Sequence, residues 1–195
     1  GSFQWITALL LAGAAGGIWA LVPGILKAAR GVHEVVTSIM MNYVAMFFVN
    51  FLIKSTIYNK LKNESLPVDP NSWIPKMGLE KIFPHSNIQG GILIALIAVV
   101  IIYIVLNRTV LGFELKSVGL NSFASKYAGI SEKRSIILSM VIAGALAGLA
   151  GAVIYLTDSG RYLKVIDKMP SEGFMGISVA LLGLTEPVGI FLSGL

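Results

Sequence analysis

The stretch Leu111–Ile130, LGFELKSVGLNSFASKYAGI, is polar, yet it lies between two apolar runs, Ile88–Leu106 and Ser135–Leu156. Each run is long enough to cross a bilayer, since about 20 residues at 1.5 Å each span a hydrocarbon core of roughly 30 Å. A plain linker between two such runs needs no helix signals, and this one carries them. Asn121 predicts an N-cap, SFASKYA supplies about two helical turns, and Gly129 predicts the C′ stop. The reading is a short docking helix at a membrane surface, within an all-α polytopic transmembrane bundle.

The rest of the chain agrees with a bundle. Its 195 residues are 55% hydrophobic and 13% charged, where a soluble domain carries about 25% charged residues. The apolar residues are concentrated in continuous runs. Predicted spans are 3–22, 32–53, 88–106 and 135–156, with Pro23-Gly24 ending the first and Lys27 and Arg30 in a short connector. The stretch 54–87, with Pro67, Pro70, Pro75 and Pro84, reads as an external loop holding at most short helices. A charged connector, 157–172, follows the fourth span. Segment 174–195 is apolar only as far as Leu184, is interrupted at Glu186-Pro187, and then resumes. A break of that kind sits at membrane depth only inside protein or beside a cavity, so it predicts a broken, re-entrant helix pair. No basic segment precedes the first apolar run, which argues against a signal peptide. The last apolar run stops partway, so the chain is expected to be a fragment of a larger membrane protein. Gly1-Ser2 is either native or a cloning remnant.

Several function classes are excluded. The net charge of +5 is scattered through the connecting segments, unlike the basic stripe of a nucleic-acid surface. There is no cysteine, hence no disulfide or thiol chemistry. Nothing matches GxxxxGK[ST], so the chain does not hydrolyse ATP by that route. His33-Glu34 begins like HExxH, but Thr37 stands where the second histidine belongs; His85 lies beside Pro84 and far from Ser193 in sequence. No metal site or cofactor is expected. Charge leaves sidedness open: with 107–134 on the cytoplasmic side, seven Lys/Arg lie inside and eight outside.

Small residues recur at helical spacing. Gly144, Gly148 and Ala152 form one row of the fourth span, and Ala143, Ala147 and Gly151 a parallel one. Gly13 and Gly17, with Ala12, Gly16 and Ala20, do the same in the first. Such rows let helix backbones approach closely in lipid. In the second span Glu34, Ser38, Asn42 and Asn50 fall within an arc of about 160°, opposite Met40, Val44, Phe47 and Phe51. This polar face should point inward, with Glu34 at its mouth. Asn42, near mid-span, either bonds a neighbouring helix or lines a path for a polar solute.

Four collinear blocks resemble bacterial ABC-importer permeases of the branched-chain amino acid, ribose and nucleoside family, most of all those for nucleosides and simple sugars. GVHEVVTSIMMNYVA at Gly31–Ala45 is similar to GVNEVISTIMLNYIA, and NRTVLGFELKSVGLNSFASKYAGI at Asn107–Ile130 to RTRLGFELRAVGLNPEAARYAGI. GALAGLAGA at Gly144–Ala152 resembles SGALAGLAGA, and GFMGISVALLGLTEPVGI at Gly173–Ile190 resembles GFDGIAVALLGRNNPLGI. The resemblance implies that segment 107–134 is cytoplasmic and couples the permease to an ATPase. Gly112, Glu114, Gly119, Asn121, Ala124, Gly129 and Ile130 fall on that motif, and Phe123, Lys126 and Tyr127 lie within its helix. It further implies an ABC ATPase that binds the ATP, a second permease subunit, an extracytoplasmic solute-binding protein and transport by alternating access. The chain departs from the family pattern at His33, Lys116-Ser117, Ser122-Phe123, Met175 and Thr185-Glu186. A secondary transporter or channel, or a membrane scaffold subunit without transport of its own, are the alternatives.

Overall fold

The computed structural model describes residues 4–59, 64–66, 68, 72–75, 90–157, 163 and 172–194. Gly1-Ser2, Pro67, Pro70, Pro84, His85 and most of the connector 157–172 lie outside the described residues. The described residues are mostly helical, with a small two-stranded ladder, and four of the helices are long and apolar enough to cross a membrane. The chain divides into two compact units, one formed by 1–92 with 140–169 and the other by 93–139 with 170–195.

In the first unit, α1 runs Gln4–Arg30 and α2 runs Glu34–Thr56. Pro23 does not end α1 as expected; it lies within the helix. Proline removes one intrahelical N–H, here the one that would reach the carbonyl of Trp19, and normally kinks or ends a helix. Pro23 and Gly24 are both buried, so packing at this turn offsets the lost bond. The true stop is Gly31, with φ +65° and its amide donating to Lys27 O at 2.9 Å. Lys27 and Arg30 are consequently the last turn of a helix rather than a connector, where cations complement the helix dipole.

The third wall of this unit is the later part of α6, Glu132–Tyr155. Its contact with α1 is set by glycine. A Cβ built on Gly16 would collide with Gly144 O and stand 3.0 Å from Gly148 Cα. A Cβ on Gly144 would meet Ala20 and stand 3.1 Å from Gly16 C, and one on Gly148 would stand 2.9 Å from Ala12 C. The obstructing atoms are largely backbone and cannot swing aside. Gly151 has nothing within 4 Å of its Cβ position among the described residues, so it takes no part in the contact with α1.

Part of the stretch expected as an external loop with at most short helices forms an antiparallel ladder of β1, Tyr58–Asn59, with β2, Glu64–Ser65, in the register Tyr58↔Ser65 and Asn59↔Glu64. Ser65 N also donates to Leu163 O at 2.9 Å, and Ile74 N to Leu156 O at 2.8 Å. These bonds tie the described parts of the loop to Leu163 in the connector and to Leu156 at the end of α6.

The second unit contains most of α3, Gly91–Arg108, then α4, Val110–Leu120, and α5, Ser122–Tyr127. It also holds α7, Glu172–Leu182, and α8, Pro187–Ser193, which meet at a bend of 118°. The broken pair expected from hydropathy is therefore a tight helical hairpin. Gly183 and Gly189 touch backbone to backbone: a Cβ on Gly183 would stand 2.6 Å from Gly189 C. Ser193 Oγ lies 2.9 Å from Val179 O and ties the second limb to the first. The bend uses a Schellman closure, with Thr185 N donating to Ala180 O at 3.0 Å and Leu184 N to Leu181 O at 3.1 Å. Leu184 and Thr185 take φ of 53° and 58°, a region that costs a non-glycine residue about 1–2 kcal/mol.

Two predictions follow from this geometry. Gly144→Leu should destabilise the protein by roughly 1–3 kcal/mol through overpacking, whereas Gly151→Leu should leave its thermal melt in detergent unchanged. Equal melts for the two variants would contradict the α1–α6 contact. Leu184→Gly removes a side chain that is 82% exposed and relieves the left-handed backbone, so it should raise the melting temperature; a lower value would refute strain at the bend.

Candidate functional site

The first unit has an open hollow of about 540 Å³ between α1, α2 and the later part of α6. The volume lies in the range of small-molecule sites, about 300–1,000 Å³. Its polar side chains come from α2, where Ser38 and Asn42 stand one turn apart on the inward face. Opposite them are Ala15, Gly16 and Ala20 of α1 and Ala143, Gly144 and Ala147 of α6. The small residues that allow close helix contact thus also leave this hollow, because they project nothing into it.

Of the polar arc predicted on α2, the structure brings Ser38 and Asn42 together on the cavity and leaves Glu34 and Asn50 off it. Glu34, expected at the mouth of the pathway, pairs its carboxylate with Lys27 Nζ at the α1–α2 corner. That pair exists because α1 continues past Pro23, carrying Lys27 to the α1–α2 corner. Asn50 is 8% exposed, in the interior beside buried Ile53. Met40, Val44, Phe47 and Phe51 are exposed, as a face turned to lipid or to a partner requires.

Two cavity residues escaped the sequence reading. Trp19 on α1 and Phe48 on α2 both line the cavity and stack on each other, with ring centroids 6.1 Å apart and planes at 20°. Trp19 Nε1 is buried and has no hydrogen-bond partner among the described residues. One signal was present in the sequence. Tryptophan in membrane proteins concentrates at the two interfaces, and Trp19 sits well inside the span amid glycine and alanine.

The second unit holds the other candidate surface. Thr109 caps α4, its Oγ1 accepting from Gly112 N at 3.2 Å. Gly112 is buried against the end of α3, where a Cβ would stand 2.6 Å from Leu106 C. This residue therefore makes the sharp α3–α4 corner. Asn121 Oδ1 accepts from Ala124 N at 3.1 Å and caps α5. Gly129, φ +78°, ends it: Ile130 N donates to Ser125 O at 3.0 Å and Gly129 N to Lys126 O at 3.1 Å, a Schellman closure. The sequence reading missed α4, whose mixed composition gave no clear apolar stripe. Held between two fixed corners, α5 presents Phe123 at 80% and Tyr127 at 96% exposure, with Leu120 at 89% beside them. Glu114 is part-buried on α4, Gly119 has open space around it, and Ala124 and Lys126 are exposed. No group of three or more His, Asp or Glu suited to a metal occurs among the described residues.

A profile of the family described as "Branched-chain amino acid transport system / permease component" matches residues 2–195. The chain belongs to this permease family. It is similar to the guanosine ABC transporter permease protein NupP of Bacillus subtilis, 42% identical over 95% of this chain and 53% of that protein. It is likewise similar to the nucleoside ABC transporter permease protein NupB of Lactococcus lactis, 40% identical over 92% of this chain and 50% of that protein. The glucose ABC transporter permease protein TsgB13 of Haloferax volcanii is 32% identical over 95% of this chain and 50% of its own length. The chain thus spans about half the length of these curated relatives. No solved structure matches it. With its spanning helices and its family, this permease chain is part of a multi-pass membrane protein.

The chain has no cysteine, which makes cavity access measurable. In full-length permease with any other cysteine replaced, Ser38→Cys and Asn42→Cys should react with a small aqueous thiol reagent at least about tenfold faster than Asn50→Cys, in line with burial. Equal rates at all three positions would contradict the inward face assigned to α2.

Proposed function

We propose that this chain is the central part of the transmembrane subunit of an ABC importer, moving a nucleoside or simple sugar across a bacterial cytoplasmic membrane by alternating access. ATP is bound and hydrolysed by a partner ATPase; the permease itself needs no cofactor. A second permease subunit completes the path, and an extracytoplasmic binding protein delivers the solute. Segment 107–134 faces the cytoplasm. The observation that carries the reading is the exposed pair Phe123 and Tyr127 on α5, set between two capped corners in the block that resembles the family's coupling motif. Exposed aromatics on a rigid, polar-flanked element are what a protein partner uses as anchors. Ser38 and Asn42 are the groups that hold the solute's polar edge along the path.

Two variants test the two halves of this reading. Phe123→Ala with Lys126→Glu should cut substrate-stimulated ATP hydrolysis of the reconstituted importer by about tenfold or more, the scale of a lost interface anchor, while the protein stays in the membrane. Unchanged stimulation would sink the docking role. Asn42→Leu should abolish uptake of labelled nucleoside without loss of assembly, and normal uptake would count against the pathway.

A further inference from the structure

The hairpin of α7 and α8 carries a carboxylate at its turn, between two apolar limbs. α7 has 11 residues, about 16 Å of helix, which is half of a hydrocarbon core of roughly 30 Å. Its exposed side chains include Phe174, Met175, Ile177, Leu181 and Leu182, and α8, PVGIFLS, is equally apolar. Limbs of this composition and length, bent by 118°, put the turn 183–186 at the depth of the bilayer interior. At that turn Thr185 and Glu186 are exposed. The Glu186 carboxylate makes no ion pair and no capping bond among the described residues. Thr185 Oγ1 donates to Leu184 O at 2.6 Å, which leaves the hydroxyl oxygen able to accept. The pattern that this block resembles has two neutral asparagines here, where this chain has a hydroxyl and a carboxylate.

An ionisable group at this depth is costly against lipid and persists where it meets water or a partner. Irregular backbone at membrane depth obeys the same rule. With no partner in the hairpin, Glu186 requires water. A negative charge beside low-dielectric walls concentrates cations and repels anions, and an ionised carboxylate accepts hydrogen bonds without donating any. We infer that Thr185 and Glu186 form a water-lined acceptor station inside the membrane, which takes the N–H and O–H donors of neutral or cationic solutes and rejects anionic ones. The inference rests on the importer reading for what passes the station, not for its charge.

The test uses the full-length importer with its partners, free of other cysteines, in proteoliposomes. Thr185→Cys is labelled with two membrane-impermeant methanethiosulfonates, one bearing a trimethylammonium group and one a sulfonate. The ratio of cationic to anionic labelling rates should fall about tenfold or more when Glu186→Gln is added. Comparing the two backgrounds cancels the reagents' own reactivities. Guanosine or ribose, both neutral, should slow the labelling. No reaction with either reagent, an unchanged ratio, or no slowing by either solute overturns the station. Should Thr185→Cys fail to assemble, Leu184→Cys at the neighbouring position, 82% exposed, gives the same measurement. Charge-dependent labelling that a neutral solute slows, in a complex whose wild-type form shows no ATP-driven uptake, supports the station while overturning the importer.

Discussion

The close contact of Gly16 on α1 with Gly144 and Gly148 on α6 is the constraint on which the first unit depends. In lipid no hydrophobic force drives helices together, so their association relies on van der Waals contact between well-fitted surfaces. Glycine permits that fit by bringing backbone against backbone. The same absence of side chains leaves a hollow that Trp19, Ser38, Asn42 and Phe48 line. Packing and site are two consequences of one substitution pattern. Enlarging these glycines would both part the helices and fill the cavity.

A second contact fixes how α1 and α2 meet. α1 passes through Pro23, stops at Gly31, and turns directly into α2, with Lys27 and Glu34 paired across the corner. A surface pair of this kind contributes little stability by itself, about 0–1 kcal/mol. Its use is positional, since it joins the last turn of one helix to the first turn of the next. The second unit uses capping for the same end: Thr109, Asn121 and Gly129 bound α4 and α5 without any large core. That leaves Phe123 and Tyr127 exposed and well placed.

Much of this was legible in the sequence because membrane constraints are local and strong. Long apolar runs read as spans, the Glu186-Pro187 interruption read as a bend, and the caps of α5 were visible in Asn121 and Gly129. The misreadings occur where tertiary contact overrides a local rule. Pro23 is a breaker on local grounds, yet burial of Pro23 and Gly24 keeps the helix intact. Glu34 shares an arc with Ser38 and Asn42, but periodicity along α2 does not reveal that Lys27 lies within reach. Gly151 belongs to a small-residue row as regular as that of Gly144, and only the location of α1 decides which row meets its backbone. Trp19 was passed over for a similar reason: its stacking on Phe48, and an N–H without a partner among the described residues, are features a one-dimensional pattern does not contain.

On the proposed function, the hollow between α1, α2 and the later part of α6 holds the transported solute. Photolabelling of the full-length importer with 8-azidoguanosine, followed by mapping of the labelled peptides by mass spectrometry, addresses it most directly. Label on peptides of α1, α2 or residues 140–155, competed away by excess guanosine, is expected. Label confined to other segments, or label that excess guanosine does not reduce, would contradict it.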